Sequence, residues 1–279
     1  LFDVWLLSAV AAMLLRSVVA LSILQTCRRD PSKDHAPKHV GEGAPSSFPL
    51  LLRASAAFYF SSIIYVILGQ IDKIMLGWLA GGAELGGYSV CFRVASLLLI
   101  LGAVVDAFVS PLVASMAADN EFSEIVRAVR RSSGVLVLLC FPLAVGLVSF
   151  PELLLGLWGQ SFKEYAGVLI VLVVGQSLAV VFGPCGKALL YAQFGVARNA
   201  IAVCAVVANI SLNALLIPGY GALGAGVSSA VSLFLMYGLF WLFAGKVFRG
   251  YSYPDLIFAF AALRSVLWPS RKYPSSDPT

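Results

Sequence analysis

The sequence predicts an all-α membrane protein, a polytopic bundle of about seven transmembrane helices. Hydrophobic residues make up 60% of the 279 positions and charged residues only 12%. The resulting mean hydropathy of +0.91 is far above that of a water-soluble globular domain. The basic residues, which leave a net charge of +5, fall in short clusters between apolar runs and not on one face, so no nucleic-acid partner is expected.

Seven apolar runs approach the length of about 20 residues that a spanning helix needs. They cover residues 4–24, 50–69, 85–109, 134–150, 165–190, 200–217 and 222–247. The connection between the first two is polar and rich in proline, which predicts a flexible linker. The tail, residues 248–279, contains an apolar segment too short to span, so we expect it in the cytoplasm or at the membrane interface.

The distribution of positive charge predicts the orientation of the bundle, because cytoplasmic loops are enriched in Lys and Arg. One side carries only Lys73 and Lys163. The other carries Arg28, Arg29, Lys33, Lys38, Arg127, Arg130, Arg131, Lys187, Arg198, Lys246 and Arg249. We therefore expect a multi-pass protein of the cytoplasmic membrane, with the N-terminus of this chain outside and its tail inside.

One inner connection, residues 119–133, has an amphipathic pattern. Phe122, Ile125, Val126 and Val129 recur at helical spacing, and charged residues occupy much of the rest. This pattern predicts a separate amphipathic helix on the inner leaflet.

No constellation typical of a soluble enzyme is present. The only histidines, His35 and His39, lie in the proline-rich connection, and the five cysteines lack metal-ligand spacing. No nucleophile motif and no phosphate-binding glycine loop occurs. We therefore expect no enzymatic activity, no catalytic residue, no metal site and no cofactor.

Among the charged residues inside or near the ends of the predicted spans, four are candidates for a functional site, because ionisable groups at membrane depth usually face a bundle interior or a water-filled cavity. Arg16 is near the middle of the first span, Arg93 and Asp106 lie in the third, and Asp72 closes the outer end of the second. Two interpretations stay open. Arg16 and Arg93 bind an anion such as phosphate, which suits the forked guanidinium, or they form interior ion pairs, with Asp72 and Arg93 as the expected pair.

Neutral residues add weaker signals. Asn209 and Asn213, four residues apart in the sixth span, must face protein or a cavity, either as interhelical hydrogen bonds or as part of a polar site. Pro184 in the fifth span predicts a kink at a moving point. Small residues at the start of the seventh span predict close helix packing: Gly221, Gly224 and Gly226.

Four short motifs occur in an informative order: QIDKIMLG at residues 70–77, LGGY at 85–88 followed by Arg93, SPL at 110–112, and LIPGYGALGA at 216–225. Together they resemble the C-terminal half of a polysaccharide-biosynthesis flippase of the multidrug/oligosaccharidyl-lipid/polysaccharide (MOP) exporter superfamily. Members of this superfamily are built from two six-helix lobes around a central cavity.

The resemblance implies how the chain is organised. Residues 1–26 correspond to the last helix of an incomplete N-terminal lobe and 27–49 to the cytoplasmic linker. Residues 50–247 correspond to a six-helix, MATE-like C-terminal lobe, and 248–279 to the tail. Because the first apolar run begins at the first residues without a signal-peptide pattern, we expect a fragment of a larger transporter.

The resemblance also implies a function: translocation of an undecaprenyl-pyrophosphate-linked oligosaccharide, such as an O-antigen repeat unit for lipopolysaccharide, across the cytoplasmic membrane. Its partners would be membrane lipid, this glycolipid, and glycan polymerase or other assembly proteins. A MATE-type drug/cation antiporter is the alternative, and Asp106 is then the candidate acidic site. A membrane enzyme of glycan assembly is a weaker alternative, because no large outer loop is encoded.

Overall fold

A computed structural model describes residues 48–119, 121–248, 250 and 254–257, and describes side chains from Ser62 onward. The chain divides into two compact units, Leu1–Leu51 and Leu52–Thr279. The described part of the first unit is the start of one helix. The first predicted span, Arg16 and nearly all of the proline-rich linker therefore lie outside the described residues.

Every regular element in the described ranges is helical. The long helices are α1 (Phe48–Leu79), α2 (Gly82–Ala95), α3 (Leu97–Ala118), α4 (Phe122–Ser149), α6 (Ala166–Tyr191) and α7 (Gly195–Val247). Between α4 and α6 lie the short α5 (Pro151–Gly156) and a 3-10 helix (Gln160–Tyr165). Five helical stretches in this part of the chain are long and apolar enough to cross a membrane, which confirms the all-α polytopic fold class.

The longest stretch, α7, contains two of the predicted spans because the chain reverses within it. Gly221 has a non-helical backbone, with φ 53° and ψ −130°. Asn213 and Ser229, sixteen positions apart, both hydrogen-bond to Asp72. A straight helix would hold them about 24 Å apart. Residues 195–220 and 222–247 are therefore two antiparallel arms, called the first and second arm of α7 below.

The separate amphipathic helix predicted for residues 119–133 is wrong, because residues 122–133 form the first turns of α4. No helix breaker lies between them and the predicted span. Part of their apolar face packs inside the bundle, since Ile125 and Val129 are buried, whereas Phe122 is exposed. The two predicted elements are thus one continuous helix.

The core is built from side chains of α2 to α4 packed around α6 and α7. Its largest fully buried members include Tyr88, Leu136, Leu169, Met236 and Phe240. Small residues let α6 and the second arm of α7 approach closely, because a Cβ on Gly175 would come within 2.9 Å of the Cα of Ala230. Gly226 faces Val168 of α6 in the same interface. This close packing fixes the second arm of α7 relative to α6.

Candidate functional site

Asp72 lies deep in the bundle on α1, with 2% of its surface exposed. The sequence placed it at the outer end of a span, but α1 continues to Leu79, two turns beyond Asp72. Asp72 therefore lies within a continuous helix and not at its end. An ionised carboxylate at this depth is costly unless hydrogen bonds or a counter-charge compensate it.

Four neutral side chains surround the Asp72 carboxylate. The Nδ2 atoms of Asn209 and Asn213 donate to Oδ1 at 3.0 and 2.7 Å. The hydroxyl of Tyr88 donates to Oδ2 at 3.0 Å, and that of Ser229 also donates to Oδ2. The donors come from α2 and from both arms of α7, so the folded arrangement of three helices is required to form the Asp72 cluster.

The Asp72 cluster differs from the ion pair expected between Asp72 and Arg93. Arg93 lies on the last turn of α2, where its side chain is exposed, whereas both oxygens of Asp72 are held by neutral donors. The asparagines do form interhelical hydrogen bonds, which was one of the two interpretations left open.

The Asp72 cluster is rich in oxygen atoms, and one of them lacks a partner. Asn213 is fully buried, and its Oδ1 accepts no hydrogen bond from the described residues. The four hydrogen-bond donors to the Asp72 carboxylate are all neutral, and its oxygens and Asn213 Oδ1 are of the type that bind small cations. In the described part of the chain no group of three His, Cys, Asp or Glu residues could hold a metal ion, so carbonyl and hydroxyl oxygens would have to complete any cation site.

A second polar site joins α3 to α6 through an ion pair between Asp106 and Lys187. The Lys187 side chain is 37% exposed and that of Asp106 23% exposed, so both remain accessible. From the sequence, Lys187 is counted only among the charges of the cytoplasmic side. It is nevertheless the sole charged residue between positions 165 and 190. That isolated charge inside an apolar run was the signal that could have identified it.

Arg198, near the start of α7, was also read as a loop charge, but only 8% of it is exposed. Its Nη2 donates to the Tyr65 hydroxyl at 2.7 Å, and its guanidinium lies 4.8 Å from the centre of the Tyr65 ring. The position of Arg198 in a predicted loop does not reveal this burial, because its long side chain reaches back into the bundle.

At the end of the bundle predicted to face outside, Glu84 contacts the reversal between the two arms of α7. Its Oε2 accepts a hydrogen bond from the backbone N–H of Ala222 at 2.6 Å, where a carboxylate suits a helix N-terminus. The Tyr165 hydroxyl donates to Oε1 at 3.4 Å. Gly221, with its positive φ, and Gly224, against the Leu216 carbonyl, allow the close turn.

Pro184 is buried within α6, and the helix continues through it to Tyr191. The predicted role of Pro184 as a moving point stays a prediction. Arg16 lies outside the described residues, so its role stays a prediction as well.

A comparison with protein families identifies the family of this chain. The MatE family model matches residues 57–215, which is more than half of the chain. The chain belongs to the MatE family. This family is part of the MOP superfamily, so the recognition made from the four sequence motifs is confirmed.

Relatives of this MatE chain include glycan-related proteins. It is 28% identical over 229 residues to the "Probable low-salt glycan biosynthesis flippase Agl15" of Haloferax volcanii, covering 81% of this chain and 45% of Agl15. It is 29% identical over 175 residues to the "Probable flippase AglR" of the same organism, covering 59% of this chain and 35% of AglR.

A third relative is the "Teichuronic acid biosynthesis protein TuaB" of Bacillus subtilis, 29% identical over 137 residues, which are 48% of this chain and 28% of TuaB. The MatE chain thus spans less than half the length of these relatives. No solved structure matches it significantly.

Proposed function

We propose that the chain is the C-terminal part of a flippase that moves a pyrophosphate-linked glycan on a lipid carrier across the cytoplasmic membrane. The observation that carries the proposal is the agreement between MatE family membership and two relatives named as flippases. An undecaprenyl carrier is the expected lipid, from the resemblance to O-antigen translocases. Transport needs no covalent chemistry, so no enzymatic activity is proposed.

The accessible charges support an anionic substrate. Arg93 is exposed on α2, and Lys187 is more exposed than the Asp106 carboxylate that pairs with it. A partly exposed ion pair contributes little to stability, so Lys187 can exchange Asp106 for a phosphate group. The lipid tail would stay in the bilayer while the charged head crosses in water.

Lys187 provides the test of this proposal. In the full-length transporter, Lys187→Ala should lower glycan export about tenfold, the effect of losing one hydrogen bond to a charged group. Asp106→Asn should retain most export, because the cation remains. The matched control is Lys246→Ala, an exposed cation at the end of α7. Surface glycan is measured at equal membrane abundance of each variant.

Two results would contradict a phosphate-binding role for Lys187. In one, Lys187→Ala exports normally. In the other, both single variants lose export equally, and the double variant Lys187→Asp with Asp106→Lys recovers it. That result would mean that Lys187 and Asp106 form an ion pair with a structural role only.

A drug/cation antiporter is the second candidate function, and the Asp72 cluster is the observation that favours it. From the sequence alone Asp106 is the candidate acidic site, whereas the structure shows Asp72 to be more deeply buried, with 2% of its surface exposed. An antiporter would expel a cationic dye from proteoliposomes in response to a sodium or proton gradient, and Asp72→Asn would stop that efflux. Absence of gradient-driven dye efflux from an active preparation would eliminate this candidate.

A further inference from the structure

A cleft of about 300 Å³ lies between α3 and α4, at the end of the bundle predicted to face the cytoplasm. Its apolar wall is formed by Val105, Val109, Leu112 and Met116 of α3. The opposite wall belongs to α4, where Arg127 and Arg131 lie one turn apart with Glu124 beside them. The cleft therefore has an apolar wall on α3 and basic side chains on α4. Arg127, Arg131 and Glu124 are called the basic rim below.

The apolar wall continues onto a surface that suits lipid. Leu112 is 49% exposed, and Phe108 on the same helix is 77% exposed. From Val105 to Met116 the wall rises about 16 Å, which is close to the hydrocarbon thickness of one leaflet. An acyl chain can lie along its whole length.

The basic rim suits a phosphate group. Arg127 pairs with Glu124 at 2.9 Å, but the Arg127 side chain is 56% exposed, so this pair is weak and exchangeable. Two arginines and one glutamate give the rim a net positive charge. Guanidinium groups at the membrane surface attract anionic headgroups, and their fork matches phosphate oxygens.

The described residues that follow α7 contact a different face of α4. The Phe122 ring lies 5.8 Å from that of Phe248, and the Arg130 carbonyl accepts a hydrogen bond from the backbone of Asp255 at 3.0 Å. Gly250 faces Val126. The described part of the C-terminal segment thus packs beside the cleft and leaves it open.

We propose that this cleft binds one anionic phospholipid of the cytoplasmic leaflet. An acyl chain lies along α3, and the headgroup phosphate lies between Arg127 and Arg131. The net charge of the rim matches a single phosphate, and Glu124 would repel the second phosphate of a pyrophosphate carrier. The site is separate from the Asp72 cluster and from the Asp106–Lys187 pair, and the proposal does not depend on the transported substrate.

Native mass spectrometry of the purified chain provides the test, with phosphatidylglycerol and phosphatidylcholine of identical acyl chains as probes. We expect one retained phosphatidylglycerol, bound about 25-fold more tightly than phosphatidylcholine, since each of the two arginines near an anionic headgroup contributes roughly a fivefold factor. Arg127→Gln with Arg131→Gln should abolish this preference. The matched control, Arg130→Gln with Lys246→Gln, removes the same charge outside the cleft and should keep it.

Two further measurements test the site without the Arg127/Arg131 double variant, which could fold poorly. Val109→Trp, which fills the cleft but leaves the arginines, should reduce retention of both lipids. In the unmodified chain, phosphatidylglycerol with a photoreactive acyl chain should crosslink to α3 near Val109 and Leu112.

Equal retention of the two lipids, or unchanged preference in a well-folded Arg127/Arg131 variant, would overturn the proposal. Crosslinking elsewhere would also overturn it. Displacement of phosphatidylglycerol by an equimolar polyprenyl pyrophosphate would assign the cleft to the transported lipid instead.

Discussion

Asp72 shows how one residue can depend on three helices. The spacing of Asn209 and Asn213 was enough to predict that they face protein or a cavity. Tyr88 and Ser229 could not be predicted as their partners, because they lie 16 and 157 positions from Asp72. Only the packing of α2 and of the second arm of α7 against α1 brings these hydroxyls to the carboxylate.

Removal of the Asp72 carboxylate should destabilise the helix bundle. Asp72→Ala leaves four buried donors without their acceptor and is expected to lower the free energy of unfolding by about 3 kcal/mol. The matched control is Ser211→Ala, whose exposed hydroxyl bonds only to the Val207 carbonyl of its own helix. That variant should change stability by less than about 0.5 kcal/mol. Thermal unfolding in detergent measures both, and equal midpoints would refute the structural role of the Asp72 cluster.

Glu84 offers a second test at the scale of the residue. Glu84→Ala removes the acceptor for the Ala222 N–H and should cost about 1 kcal/mol, the usual effect of losing a helix cap. Glu84→Gln retains an acceptor oxygen and should recover part of that loss. If chemical denaturation shows Glu84→Gln to be as unstable as Glu84→Ala, charge at the helix N-terminus matters more than the hydrogen bond.

The helices show which structural features can be predicted from sequence patterns. Apolar runs and the Pro218–Gly221 turn signal predicted two antiparallel spans where α7 reverses, although the two arms follow each other almost without interruption. The structure at the start of α4 could not be predicted correctly from its pattern. Its charged, amphipathic pattern is typical of a helix on a membrane surface, and the pattern cannot show that Ile125 and Val129 instead pack against other helices.

The reversal in α7 depends on a backbone conformation that glycine adopts readily. Gly221→Ala should destabilise the protein by about 1 to 2 kcal/mol, because φ is positive there and the new methyl group would meet Glu84. Gly219→Ala is the control, since its φ is not positive and nothing lies near its added Cβ. A Gly221→Ala protein with the thermal midpoint of Gly219→Ala would contradict this account of the turn.

For the whole molecule, the charge bias predicts an orientation that labelling can test. In a variant without native cysteines, Gly219→Cys should react with an impermeant maleimide in intact cells, and Ser123→Cys should react only after permeabilisation. Both positions are exposed, so burial does not decide the result. The opposite pattern would reverse the predicted topology.

The central claim, that this MatE chain is part of a glycan flippase, is tested most directly by depleting the full-length transporter and measuring the lipid-linked glycan on each face of the cytoplasmic membrane. The account predicts that the pyrophosphate-linked glycan accumulates on the cytoplasmic face and that surface glycan falls, with both restored by the intact gene. Normal surface glycan without cytoplasmic accumulation, in cells that lack the transporter and any substitute for it, would contradict the claim.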